Sequence, residues 1–194
     1  MSHAIRYITT LFMTWFTMAG ATAWAGQMTA TASIRFQGSS TLHDFEGTAE
    51  ARPFTIQYVE DADTGKLIVT ASTSLDVGGM TTNNKKRDKN MAKMFDQEHY
   101  TMIQGDLEDI VLAGDETSKA RLHLRIRNVE KDIEAVLSNL ERSENGLRCT
   151  MTFPVILSEY GLKAPSVLGV IKVADTVQVE CTINATESKA SAGS

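Results

Sequence analysis

The sequence predicts an all-β protein of about eight antiparallel strands, arranged as a sandwich or a closed barrel, with one short amphipathic helix. Apolar and polar residues alternate over most of the chain, which is the period of strands with one buried face. Turn-forming residues, such as Asp63-Thr64-Gly65 and Glu144-Asn145-Gly146, separate these runs at short intervals. Short turns favour antiparallel neighbours, and one apolar face per strand requires two packed sheets or one closed sheet.

The limits of the alternating runs predict the strands. The alternation is clearest at 120–127, where four apolar side chains alternate with arginine and histidine. A bulge is expected near Gly105, because a glycine inside a strand often marks one. The predicted strands are 29–37, 46–59, 66–76, 100–113, 118–127, 131–142, 147–157 and 173–185.

Two segments depart from the alternation. Met91, Met94 and Phe95 follow the i, i+3, i+4 spacing of an amphipathic helix, which predicts a short helix at 85–95. The apolar segment 158–172 is too long for a tight turn and is expected to fold back over one end of the sheet. Because neither segment has another apolar surface to bury against, we hypothesise that both cover the same mouth of the β-structure.

Residues 1–25 have the layout of a secretory signal peptide. A basic residue precedes an apolar run, and Ala23 and Ala25 are the small residues expected before a cleavage site. The run is shorter and more polar than a membrane-spanning helix of roughly 20 apolar residues. We therefore expect export from the cytoplasm, one mature domain at 26–185 and a disordered polar tail at 186–194.

Composition and motifs argue against two classes of function. The net charge of −5 and the lack of a basic stripe argue against nucleic-acid binding. No Gly-x-Ser-x-Gly elbow and no phosphate-binding glycine loop occur. The segment 39–44 contains Ser, His and Asp, but a catalytic triad is an arrangement in space and is not indicated by residues close together in sequence. We expect no enzymatic activity and no cofactor.

Cys149 and Cys181 are candidates for a disulfide. An oxidising compartment permits a bridge between them. Antiparallel pairing centred near Pro165 would place the two residues opposite each other. The alternative is that both are small buried side chains without a bond.

Several separated segments resemble the YceI-like family of secreted lipid-binding proteins. They are 36–47, 74–77, 86–91, 122–126, 158–162 and 173–179, and their order and spacing cover about 34–185. The resemblance implies a lipocalin-like, eight-stranded antiparallel barrel whose apolar interior holds a long isoprenoid or a similar amphiphile. It also implies a periplasmic location and transfers no catalytic residues.

A barrel of this size holds one small ligand if its interior is not filled. The alternative is that large inward side chains interlock into a solid core, which would leave a structural or interaction module. Met residues suit variable apolar ligands because their side chains are adaptable. The candidate ligand-contacting residues are Phe36, Phe45, Phe54, Met80, Met91, Met94, Phe95, Met151, Phe153, Tyr160, Leu162 and Leu168.

The charged start of the predicted helix has two interpretations. Arg87 and Asp88 could tie the helix to the barrel. Alternatively, Lys85, Lys86 and Arg87 could contact a phosphate or carboxylate head group.

The other alternative is an exported metal-binding protein. His43 lies beside Asp44 and His99 follows two acidic residues, and two histidines with a carboxylate can bind zinc or copper. The expected partner remains an apolar, lipid-like ligand, with transient contact with a membrane or a membrane protein. The expected oligomeric state is a monomer or a homodimer.

Overall fold

The alternating runs form antiparallel strands in the computed structural model, which describes residues 23–41, 43–112, 117–164 and 173–187. Those residues contain nine strands, one α-helix and two 3-10 helices. The strands are β1 (Ala23–Ser40), β2 (Phe45–Glu50), β3 (Phe54–Asp61), β4 (Leu67–Asp76), β5 (Met102–Leu112), β6 (Ser118–Ile126), β7 (Val129–Ser143), β8 (Gly146–Ile156) and β9 (Val173–Glu187). The α-helix is α1 (Lys85–Met94), and the 3-10 helices are Val77–Gly79 and Leu157–Tyr160.

The strands close into a barrel through β1. This long strand pairs with β9 along one edge, and with β3 and then β2 along successive parts of its other edge. Strands β2 and β3 therefore share one position in the ring, and the barrel has eight strand positions. The predicted eight-stranded antiparallel barrel with one helix is confirmed.

The prediction of one strand at 46–59 is wrong. The chain turns a corner at 51–53, where the backbone N–H of Ala51 donates to Ala32 and that of Arg52 donates to Ser74. Pro53 has no backbone N–H and cannot continue the ladder. The corner divides the run into β2 and β3.

The predicted bulge near Gly105 is also misplaced. Gly105 pairs regularly with Thr73 on one side and Leu124 on the other. The irregularity lies further along β5, where residues 108–109 oppose Thr70 alone. Gly105 instead leaves space inside the barrel, because a Cβ there would meet only side-chain ends, those of Leu122 at 3.4 Å and Leu124 at 4.0 Å, among the described residues.

The first strand begins earlier than predicted. Residues 23–25 pair with 59–61 of β3, so the expected cleavage point after Ala25 falls within the first residue pairs of this ladder. Residues 1–22 and 188–194 lie outside the described residues, and the signal peptide and disordered tail stay predictions. None of the described helices has the length and apolar character needed to cross a membrane.

The barrel interior is filled at one end only. At the end where β4 begins, inward side chains pack into a core that includes Leu67, Leu112, Ala135 and Leu147, all nearly inaccessible. At the other end, α1 and the Leu157–Tyr160 helix lie close to the strand ends. The interior there is lined by apolar side chains that do not meet, which creates the site described next.

Candidate functional site

A cavity of about 460 Å³ occupies the half of the barrel near α1. This volume lies within the usual range of ligand pockets, roughly 300–1,000 Å³. Every barrel strand except β3 and β7 supplies lining residues, and most of them are apolar. The inward residues that form the wall are Ile34, Phe36, Ala49, Ala51, Leu75, Ile103, Gly105, Leu122, Leu124, Ile126, Met151, Phe153, Val155, Val177, Val179 and Cys181.

Two phenylalanine rings shape one side of the cavity by lying across glycines. Phe36 is opposite Gly47 in the β1–β2 ladder, and Phe45 is opposite Gly38. A Cβ at Gly47 would lie 2.2 Å from the Phe36 ring, and one at Gly38 would lie 2.6 Å from the Phe45 ring. The rings keep this position only because the paired residue has no side chain.

Helix α1 covers the cavity with its apolar side. Met91, Met94 and Phe95 all line the cavity, and Met80 joins them from the loop before the helix. The helix begins at a true N-cap, because the side-chain oxygen of Asn84 accepts hydrogen bonds from the backbone N–H groups of Lys86 and Arg87, both at 3.1 Å. The predicted amphipathic helix is confirmed.

Asp88 fixes this helix to the barrel. Its carboxylate accepts hydrogen bonds from the Thr81 hydroxyl at 2.9 Å, from the Thr82 backbone N–H at 2.8 Å and from the Thr82 hydroxyl. Thr81 in turn pairs with Thr48 of β2. Burial by itself would raise the pKa of Asp88, but these hydrogen bonds and the charge of Arg87 together hold the pKa below its usual value.

The polar part of the lining marks where the cavity reaches the surface. His43, Asn84 and Lys86 line the cavity and are exposed. The Arg87 guanidinium carbon lies 5.2 Å from the centroid of the Phe45 ring, which is a cation–π distance. The Nε of Arg87 is buried and has no hydrogen-bond partner among the described residues. Lys85 is not part of the lining.

Eight of the twelve residues expected to contact a ligand line this cavity. They are Phe36, Phe45, Met80, Met91, Met94, Phe95, Met151 and Phe153. Their contact with a ligand stays a prediction, and their side chains lie around the cavity as such contact requires.

The other four candidates do not line the cavity in the described residues. Phe54 pairs with Ala30 toward the packed end, below the cavity floor. Tyr160 ends the second 3-10 helix, Leu162 follows it, and both are buried within the core. Burial raises the pKa of Tyr160 to about 12, with a smaller effect from Glu159. Leu168 lies outside the described residues.

Sequence reasoning missed several wall residues that simple alternation could have found. Ile34 lies two residues before Phe36, and Val155 and Leu157 follow Phe153 at the same period. Gly105 could not be found in this way, because it contributes to the cavity by having no side chain to fill it.

Cys149 and Cys181 are buried, unbridged thiols. The expected alignment is wrong by two residues, because β8 and β9 pair Cys149 with Ile183 and Met151 with Cys181. Diagonal neighbours of this kind have Cα atoms about 7–8 Å apart, beyond the usual disulfide range. Burial raises the pKa of Cys149 to about 11 and that of Cys181 to about 12.

The histidines do not form a metal centre within the part of the chain that the structure describes, where no group of three or more potential ligands converges. His43 lies at the cavity, and the Nδ1 of His99 lies 2.8 Å from Asp96 on the surface. His123 uses its two ring nitrogens on Asp132 and Glu130 separately.

Comparisons with known proteins agree with this architecture. The family model described as the YceI-like domain matches residues 24–185. No curated protein matches the chain.

Three solved structures share the fold at low sequence identity. BcnA of Burkholderia cenocepacia superposes with a TM-score of 0.65 and 17% identity, over 80% of this chain and 96% of BcnA. A polyisoprenoid-binding domain from Saccharophagus degradans superposes with a TM-score of 0.61 and 13% identity, over 85% of this chain and 100% of that domain. The Campylobacter jejuni YceI protein superposes with a TM-score of 0.51 and 11% identity, over 97% of this chain and 100% of that protein.

Proposed function

Because the chain belongs to the YceI-like domain family, we propose that it is an exported, periplasmic carrier of a long-chain apolar amphiphile. The ligand class is an isoprenoid, a quinone or a fatty-acid-like molecule. The observation that carries the proposal is the apolar cavity of about 460 Å³, closed by a packed core at one end of the barrel and reaching the surface at the other. The role is one of binding, without catalysis.

The chemistry of the wall supports an apolar tail as the occupant. Aliphatic, aromatic and methionine side chains dominate the lining, and burial of a methylene group among them gains about 0.8 kcal/mol. A long isoprenoid would exceed observed affinity limits if every carbon were buried, so affinity depends on the enclosed part of the tail and on the cost of ordering it.

The relatives add support of a different kind. The Saccharophagus degradans domain is described as polyisoprenoid-binding, and it shares the fold at 13% identity. The predicted signal peptide at 1–25 supports a periplasmic location. A net charge of −5 together with an apolar cavity suits a protein that shuttles a lipid-like molecule.

A cavity-filling variant tests the proposal. Gly105→Phe should place a ring inside the cavity, because a Cβ at Gly105 points at Leu122. Gln57→Phe adds the same ring on the exposed face of β3 and serves as the matched control. Titration with the neutral probe N-phenyl-1-naphthylamine, followed by displacement with farnesol, measures occupancy.

The expected result is saturable, displaceable binding to the wild type and to Gln57→Phe, with strong loss in Gly105→Phe. Absence of saturable binding to the folded wild type would leave a structural or interaction module instead. Equal binding by both variants would move the ligand out of the barrel interior.

A further inference from the structure

A second pocket adjoins the cavity and is lined by cationic side chains. It has a volume of about 400 Å³ and is bounded by Lys93 of α1, Arg127 after β6 and Lys163 after the second 3-10 helix, together with Asn90, Met94 and Gly161. Three elements distant in sequence thus each contribute one positive charge. None of the described residues that line the pocket is acidic.

Arg127 reaches the pocket from the two-residue turn between β6 and β7. Its backbone φ is 56°, in the left-handed region that non-glycine residues seldom adopt. The guanidinium carbon lies 5.3 Å from the centroid of the Tyr100 ring, and Nε is buried with no hydrogen-bond partner among the described residues. The two-residue turn between β6 and β7 accounts for the positive φ, so the buried donor without a partner is the feature that indicates a binding site.

The pocket and the apolar cavity share one wall. Asn90 and Met94 line both of them, so only one side of α1 separates the two spaces. A tail in the barrel and a polar end in the pocket would therefore meet at this side of α1, between Asn90 and Met94. The carbonyl end of α1 carries partial negative charge here, and Lys93 in its last turn offsets it.

We propose that this pocket binds the phosphate or diphosphate head group of the amphiphile, and this inference rests on the proposed function. A phosphate group carries about −1.5 to −2 charges at neutral pH, which suits three converging cations. The guanidinium of Arg127 offers paired donors in the geometry that phosphate oxygens accept, and the two lysines add point charges.

The alternative position for a head group is the surface opening of the main cavity, at Lys86 and Arg87. There Arg87 stacks on Phe45 and lies beside the Asp88 carboxylate, whose charge opposes an incoming anion. The pocket at Arg127 has no such carboxylate among the lining residues that the structure describes, and it is favoured for this reason.

Two ligands that share one tail test the inference. Affinities for farnesyl diphosphate and farnesol are measured on the full exported protein and on the variants Arg127→Gln, Lys93→Gln with Lys163→Gln, and Arg87→Gln. Lys66→Gln, in an exposed turn at the packed end, is the charge-matched control. Inorganic diphosphate is titrated alone to separate a lipid head group from a free anion.

Wild-type protein should bind farnesyl diphosphate at least tenfold more tightly than farnesol. Arg127→Gln should lower the affinity for farnesyl diphosphate about tenfold or more, as expected for the loss of a charge-assisted hydrogen bond. The same variant should leave the affinity for farnesol unchanged. The double lysine variant should bind farnesyl diphosphate severalfold more weakly than the wild type. It tests the inference if Arg127→Gln does not fold.

Other outcomes overturn the inference. A loss that follows Arg87→Gln and not Arg127→Gln would place the head group at the main opening. Equal wild-type affinities for the two farnesyl ligands would remove the head-group site and keep the carrier, whereas no binding of either ligand would remove the proposed function itself. Inorganic diphosphate that binds as tightly as the farnesyl ester would show a site for free anions.

Discussion

The Phe36 ring lies across Gly47 of the neighbouring strand, and the cavity wall depends on this contact. The two residues are directly opposite each other in the β1–β2 ladder. A Cβ at Gly47 would come within 2.2 Å of the ring and 2.7 Å of the backbone oxygen of Thr81. The flexible ring could move away, but the Thr81 backbone belongs to the segment that anchors α1.

Gly47→Ala should therefore push the Phe36 ring into the cavity and disturb the Thr81 bridge. We expect a loss of about 1–3 kcal/mol in the free energy of unfolding, as for other overpacked sites, and weaker binding of N-phenyl-1-naphthylamine. Chemical denaturation and probe titration measure the two effects. Gly79→Ala is the control, since the nearest atom to its Cβ is 3.8 Å away; equal effects of the two substitutions would contradict this account.

Asp88→Asn should loosen the helix from the barrel in a pH-dependent way. The carboxylate accepts three hydrogen bonds from Thr81 and Thr82, and removal of its charge should cost about 1–3 kcal/mol of unfolding free energy at pH 7. Because the folded pKa of Asp88 is lowered from 3.8, this stabilisation is present above the unfolded pKa and is lost as the pH falls through the lower folded value.

Urea unfolding of the wild type and Asp88→Asn between pH 7 and pH 2.5 measures this dependence. The stability difference should shrink below about pH 4. Glu144→Gln, in an exposed turn, should show a small difference throughout. A constant difference for Asp88→Asn across the range would show that its charge is not what holds the helix.

Cys149 and Cys181 should behave as protected free thiols. Burial raises their pKa values to about 11 and 12, so neither is a thiolate at pH 8. Iodoacetamide should leave the native protein unmodified and add two groups in denaturant, with the same mass shift with and without reductant. A shift that requires reductant would establish the disulfide that the β8–β9 register disfavours.

His123 should titrate above its ordinary pKa on the outer face of the barrel. Hydrogen bonds to Asp132, at 2.8 Å, and to Glu130 raise the pKa of its ring. The resulting stabilisation is present below the unfolded pKa of about 6.5 and is lost as the pH rises through the raised folded value. NMR titration should show the raised pKa and its decrease in Asp132→Asn; no decrease there, or an equal one in the neighbouring Glu134→Gln, would contradict the pairing.

Much of the fold could be predicted from the sequence because its determinants are local. Alternation located the barrel strands, and the i, i+3, i+4 spacing of Met91, Met94 and Phe95 located α1. The corner at Pro53 was also a local signal, although the apolar run through it predicted one continuous strand.

The features that were not predicted depend on contacts between distant segments. The β8–β9 register, which separates Cys149 from Cys181, is set by the whole ladder and differs by two residues from the simplest alignment. The cationic pocket joins Lys93, Arg127 and Lys163 across 70 residues of sequence, and no local motif links them. Whether inward side chains meet or leave a cavity depends on the closed barrel, which sequence periodicity does not describe.

The central claim is that the half of the barrel below α1 encloses an apolar guest. The most direct measurement is native mass spectrometry and lipid extraction of the protein purified from the periplasm after export, with Gly105→Phe prepared in parallel. We expect a lipid-like molecule to leave the wild type on extraction and to be depleted from the variant. A wild-type protein that carries no amphiphile, or a variant that carries the same amount, would contradict the account.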